Sequence, residues 1–464
     1  MGTVGSLAGC NAIRGVIGGD GSRSASSTDV WRAPEGTAEA TGLSSSGGPG
    51  PDASEAAVAQ FRDGLHVRNH TSPLVGDDGV YEVTSREAPY EDQPPVFRVY
   101  AHAHSREDGS ERWRTTVVET EGNDEPIGPG DITSALGPDR LYAVRNGGPN
   151  RATVFVDALS REDGATEWSR QLDEYPLGGQ PVVHDETLYL FAGARVIAVD
   201  AESGDVHWDQ EVAVRQRHPV VGEGAVAIYN TGLDGTYDAE GQVTVFDADD
   251  GSERWSEPFP TAGITDGPIP TIADGTVYLI EGDTVVLTPD LGVDVSPRKV
   301  HARSLDDGSE EWTHTYESDA MQDAVTAGGT SFVTVAGDHL YFALVFGTPQ
   351  QIVGPQGDPE VIERLQGQMY EGPNVFALDR GDGSVAWEAQ LGDRAQVFLP
   401  LVVDDEHLYA RRGPPGVGEG AIHVLDRDDG EVLGSFGEFE GRGPVGIAGG
   451  DLYVHDEDRV RIFR

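Results

Sequence analysis

From Thr71 to the C-terminus, short runs of Val, Leu, Ile and Tyr alternate with Asp-Gly turns, as in Pro181-Val182-Val183, Leu188-Tyr189-Leu190 and Val196 to Val199. Apolar runs this short, bounded by turn residues, predict antiparallel strands joined by hairpins. The strings REDGSERW, REDGATEW, ESGDVHW, DDGSERW, DDGSEEW and GDGSVAW recur, each with a tryptophan four residues after a turn glycine. The pairs are Gly109 and Trp113, Gly164 and Trp168, Gly204 and Trp208, Gly251 and Trp255, Gly308 and Trp312, and Gly383 and Trp387. A seventh copy, RDDGEVLGSF, keeps Gly430 without the tryptophan, with Phe436 nearby. Six residues before each glycine stands Ala103, Ala158, Ala198, Val245, Ala302, Ala377 or Val424, small enough to leave room for an indole.

A second series precedes the first in each unit: Tyr81, Tyr142, Tyr189, Tyr278, Tyr341, Tyr409 and Tyr453, with Val226-Ala227 as the substituted copy. The units therefore number eight, and the last, from Gly443, ends after its third strand. Equivalent glycines lie from 40 (Gly164 to Gly204) to 75 (Gly308 to Gly383) residues apart, which suits four-stranded blades carrying insertions. The expectation is an all-β, eight-bladed β-propeller of four-stranded antiparallel blades, the last blade closed by an N-terminal strand. STDVWRAP around Trp31 resembles SERWRTT of the first unit and is the expected closing strand. A ring closed by both chain ends leaves only short, protected edges. A parallel β-helix, the competing repeat fold, has shorter periods and lacks such hairpins.

Residues 57–464 are assigned to the propeller, and residues 11–56, rich in Gly, Ser, Ala, Thr and Asp, to a flexible tether. Residues 1–10 are a candidate truncated lipoprotein signal, because Leu7-Ala8-Gly9-Cys10 resembles a lipobox. Met1 to Ser6 supplies neither the charged start nor the apolar run of a secretion signal, so either the true start lies upstream or the match is chance. Cys10 is the candidate lipidation site and the only cysteine, which excludes an intramolecular disulfide.

With 80 acidic against 32 basic residues, only Lys299 being lysine, the formal charge is −48. Such a surface repels phosphate backbones and anionic headgroups, so neither nucleic acid nor a membrane surface is expected as partner, apart from a lipid on Cys10. Molar salt shortens the Debye length to roughly 3 Å and removes most of the self-repulsion. The composition reads as halophilic.

The pattern Ala-x-Asp-x-x-x-Gly-x-x-x-Trp, whole in Ala198 to Trp208, resembles the tryptophan-docking repeat of the quinoprotein, or PQQ-binding-like, propellers. That resemblance implies the fold and two branches: quinone- and calcium-dependent dehydrogenases, and a non-catalytic branch that includes an outer-membrane assembly lipoprotein. The dehydrogenases typically carry adjacent cysteines near the quinone, which a single cysteine cannot supply. The chain is placed in the non-catalytic branch, with no catalytic residue and no cofactor expected. The repeated glycines and tryptophans are read as structural: glycine gives the positive φ of the hairpin, and Asp200, Asp247, Asp379 or Asp426 accepts turn N–H groups.

DADDG at 247–251 and DRDDG at 426–430 lack the twelve-residue ligand set of a calcium loop and read as hairpins. His102 and His104 share one strand face, but the sequence shows no third ligand, so no metal site is assigned. Asn69-His70-Thr71 is a sequon, making Asn69 a candidate glycosylation site. No nucleophile elbow or phosphate loop occurs.

The turns between first and second strands (A–B) and between third and fourth (C–D) are uniformly short. The B–C and D–A connections vary, at 84–95, 230–241, 281–299 and 347–373. Variable loops on a rigid scaffold gather recognition residues, so a protein partner or small ligand is expected on that face. Pro359 to Met369 reads as a short amphipathic helix, and Arg411-Arg412 as paired positive charge suited to a carboxylate or to neutralising nearby acids. The expected function is a non-enzymatic, extracytoplasmic, monomeric binding scaffold, lipid-anchored or secreted. The alternatives are a PQQ- and calcium-dependent dehydrogenase and an extracellular sensor or ligand-binding module.

Overall fold

Where both faces of a strand are covered, the alternation of apolar and polar residues disappears; where one is covered, it stays. In the unit of residues 177–211, the second strand (Thr187–Ala192) and third strand (Arg195–Asp200) are buried almost throughout, while the outer strand (Val206–Glu211) buries Trp208 and exposes Val206, His207 and Asp209. Leu188, Leu190 and Val199 pack toward the preceding unit; Tyr189, Phe191 and Ala198 pack toward the following one. Sheets stacked face to face around a ring produce this pattern.

In the computed structural model the described residues are 47–61, 67–71, 73–87, 96–121, 132–147, 153–172, 177–212, 219–230, 241–259, 268–281, 285–287, 293–295, 298–316, 333–343, 372–391, 396–413, 420–439, 445–456 and 459–464. They form eight antiparallel blades, I to VIII in chain order, each running A to D from first strand to last. The first strand of blade I comes in two pieces, Val67–His70 and Leu74–Val75, and blade V carries an inserted hairpin, Val285–Leu287 with Val293–Val295. No helix occurs among the described residues, and the segment Pro359 to Met369 lies outside them. Threonine and serine hydroxyls tie neighbouring first strands together: Ser134 to Thr71 (3.0 Å), Thr271 to the Val333 carbonyl (2.9 Å) and Thr334 to the Leu401 carbonyl (2.8 Å).

Blade VIII is closed by an N-terminal strand, as expected, but by a different one. Glu55–Gln60 pairs with Arg459–Phe463, Val58 opposite Arg461 and Ala59 opposite Val460. The segment around Trp31 lies outside the described residues, and the fourth position of the blade is already taken. Ala57, Ala59 and Phe61 enter the core with Val454, Val460 and Ile462, and Ser54 exchanges backbone hydrogen bonds with Arg464 (3.0 and 3.1 Å). The ring thus includes residues assigned above to the tether.

Candidate functional site

The C–D hairpins and A–B turns converge on one face. In each hairpin the glycine has φ near +70° to +77° and donates its N–H to the carbonyl four residues back, as Gly204 does to Asp200 (2.9 Å). A Cβ on Gly251 would stand 2.6 Å from Trp208, and one on Gly308 2.8 Å from Trp255, so glycine is needed for contact as well as for φ. Each indole lies on the glycine of the next blade and donates its Nε1–H to a carbonyl of that blade's hairpin. The acceptors are Arg161 for Trp113, Ala201 for Trp168, Ala248 for Trp208, Leu305 for Trp255, Arg380 for Trp312 and Arg427 for Trp387, at 2.8–3.3 Å. Tyrosines of the second series lean on these indoles at ring separations of 5.9–6.2 Å, except in blade IV, where Ala227 takes the place.

The chain of indoles breaks at blades VII and VIII. Gly434, opposite Val424, holds the position of the tryptophan in blade VII. The N-terminal segment fills the gap: a Cβ on Gly434 would be 2.9 Å from Pro51, Gly48 N–H donates to Asp404 (2.5 Å) and Gly50 N–H to the Tyr409 hydroxyl (3.3 Å). In blade VIII the Val58 backbone lies against Gly109.

Arginines lock the same face. Arg161 is buried; its guanidinium reaches Tyr81 (3.3 Å), the Gly137 carbonyl (3.1 Å), the Pro138 carbonyl, Asp77 and Asp78. Arg106 donates to Tyr453 and the Ala448 carbonyl (both 2.7 Å), and Arg380 to Asp274 (2.9 Å). Burial pushes the Tyr81 and Tyr453 hydroxyls up to about 12, so both stay neutral donors at working pH. At Asp78, burial works to raise the pKa and is outweighed by hydrogen bonds from Tyr81 and Arg161, which hold the carboxyl below its usual range. Asp426 accepts from the Asp428 (2.8 Å) and Asp429 (3.2 Å) N–H groups, and Asp247 from Asp249 (3.0 Å), so these carboxylates serve their hairpins.

Two sequence candidates come together at the ring-closing seam. His102 and His104, on strand C of blade I (Val96–His104), are both buried, with ring centroids 6.1 and 4.4 Å from Phe61, the residue after the closing strand. Their third neighbour is Glu111, opposite His104 across the C–D hairpin, a residue that sequence reasoning passed over as part of the turn string. Arg411 is buried: its Nη1 donates to the His455 carbonyl (3.1 Å), its guanidinium lies over Phe439 (5.2 Å), and burial lowers its pKa to about 10. It is part of the interior and not a surface cation; the Arg412 side chain lies outside the described residues. Asn69 pairs with Ser85 in strand A, and the sequon's Thr71 is buried, its hydroxyl accepting from Val83 N–H (3.1 Å). Cys10 lies outside the described residues, as do the residues 88–95, 231–240, 282–284, 288–292 and 344–371 of the variable connections.

The family described as outer membrane protein assembly factor BamB matches residues 150–344. The fold of BamB from Moraxella catarrhalis is similar at 14% identity and a TM-score of 0.49, covering 89% of this chain and 97% of that one. A quinohemoprotein alcohol dehydrogenase from Pseudomonas putida aligns at 12% identity and a TM-score of 0.53, over 94% of this chain and 80% of that one. Sqt1 from Saccharomyces cerevisiae aligns at 12% identity and 0.49, over 90% and 97%. No curated protein sequence matches. The chain is an eight-bladed propeller whose residues 150–344 resemble the PQQ-like repeats of the BamB family.

Proposed function

We propose that this propeller is a non-enzymatic scaffold that holds a protein partner on its B–C and D–A loops, outside the cytoplasmic membrane and tethered there by a lipid on Cys10. One observation carries the reading: the two faces of the ring differ in kind. The hairpin face spends its tyrosines, arginines and aspartates on its own turns and seams. The other edge bears connections of unequal length, the longest between His339–Ala343 and Val375–Asp379. Uneven loops on a rigid frame suit recognition. The match to a family described as an assembly factor supports a protein partner over a small ligand. The charge of −48 supports a high-salt setting.

A second reading, a quinone- and calcium-dependent dehydrogenase, shares the repeat but not the adjacent cysteines. PQQ titration of the folded chain, with and without calcium, separates the two. In molar salt the scaffold reading expects no saturable quenching of tryptophan fluorescence, and stoichiometric quenching that depends on calcium would replace it by the dehydrogenase. Repeated in dilute buffer, the experiment also reads thermal stability. The acidic composition predicts a lower melting temperature there, and an unchanged one removes the halophilic part of the proposal.

A further inference from the structure

We infer that His102, His104 and Glu111 form a zinc-class metal site at the seam where the ring closes. Their donor atoms all lie within 4.8 Å of one another. Zinc bonds of about 2.0–2.2 Å put two tetrahedral donors about 3.3–3.5 Å apart, so modest side-chain rotation brings the three onto one ion. The two imidazoles project from the same face because they are two apart on a strand. A bulge after Ala103 sets Glu111 directly opposite His104.

The orientation of His104 is the second observation. Its Nδ1 is 3.0 Å from the Gly109 carbonyl, and a carbonyl only accepts, so Nδ1 carries the proton and Nε2 the lone pair. Nε2 is buried and has no hydrogen-bond partner among the described residues. A backbone carbonyl on the far nitrogen is the usual support of a metal-binding imidazole. His102 is held through Nε2 by the Thr84 hydroxyl (3.0 Å). Buried Glu82 stands across the strand pair from His102 on the same face and adds negative charge to that wall. Arg114 is the competing cation, but its ion pair with Glu111 spans 3.8 Å between two exposed side chains, a weak contact that a metal displaces. Two imidazoles and one carboxylate suit zinc; calcium and magnesium prefer all-oxygen sets. A bound ion would join strands C and D of blade I behind Phe61 and so brace the closing strand.

Cobalt(II) titration of the full chain in molar sodium chloride tests this, because the salt suppresses diffuse binding to the acidic surface. The expected result is one saturating equivalent with strong visible bands of a four- or five-coordinate ion, displaced by zinc and not by millimolar calcium. Glu111→Gln alters an exposed side chain, leaves the ring folded and should weaken binding by about tenfold or more. His104→Gln should abolish it. Weak octahedral bands, displacement by calcium, or a titration unchanged in the folded Glu111→Gln protein would each overturn the site.

Discussion

A chain beginning at Phe61 is expected to lose its stable monomeric ring. Removing residues before it deletes Glu55–Gln60, so Arg459–Phe463 becomes an open edge whose N–H and C=O groups have lost their partners. It also uncovers Val454, Val460 and Ile462, and empties the place of Pro51 against Gly434 between blades VII and VIII. Size-exclusion chromatography with circular dichroism in molar salt should show association or partial unfolding. A synthetic peptide of residues 47–61 added in trans should restore the monomer by completing the sheet. A truncated chain that stays monomeric and melts with the parent would show that another segment closes the ring.

Trp208→Ala is expected to destabilise the ring by about 3–5 kcal/mol, the usual range for removing a large aromatic from a packed interior. The indole is buried, covers Gly251, packs on Tyr189 and donates to the Ala248 carbonyl at 2.9 Å, so truncation leaves both a void and an acceptor without its donor. Trp168→Ala should cost less, since that indole is partly exposed and its hydrogen bond is longer, at 3.3 Å. Denaturant midpoints in molar salt check both the loss and the order. A Trp208→Ala protein as stable as the parent would show that the indoles do not hold adjacent blades together.

The blades were legible because each repeats one local solution. A glycine-bearing hairpin, a tryptophan four residues on and a small residue six before must appear together for an indole to reach the next blade, and in the structure Ala198 lies opposite Trp208, which covers Gly251 of the next blade while Gly204 takes Trp168. The closing strand was misplaced because it departs from that solution. Trp31 carries the familiar residue, whereas Glu55–Gln60 is EAAVAQ, weak in β-branched and aromatic residues, and is held by backbone pairing with the C-terminal strand. Pairing between chain ends some 400 residues apart has no local sequence signal.

Glu111 escaped notice for a related reason. It sits in a string that reads as a turn, and only hairpin register with its bulge places it beside His104. The hairpin length contained that information, since a C–D turn of fixed form sets which residues face each other. Arg411 was legible as a charge but not in its place: of the two roles read for it, a carboxylate ligand or nearby acids, its burial among Phe439, the His455 carbonyl and the charge of Asp456 fits the second.

Recognition through the loop face is tested most directly by replacing Thr348 to Pro373 with a short Gly-Ser turn and comparing the proteins retained from cell extract in molar salt. Loop-closure entropy changes slowly with length, so the shortened ring should melt close to the parent. A control carrying Val385→Glu and Val432→Glu alters exposed residues beside the C–D hairpins of the other face. The account predicts that the shortened chain loses partners that both the parent and the control retain. A folded, shortened chain that keeps the same partners, or a control that alone loses them, would contradict it.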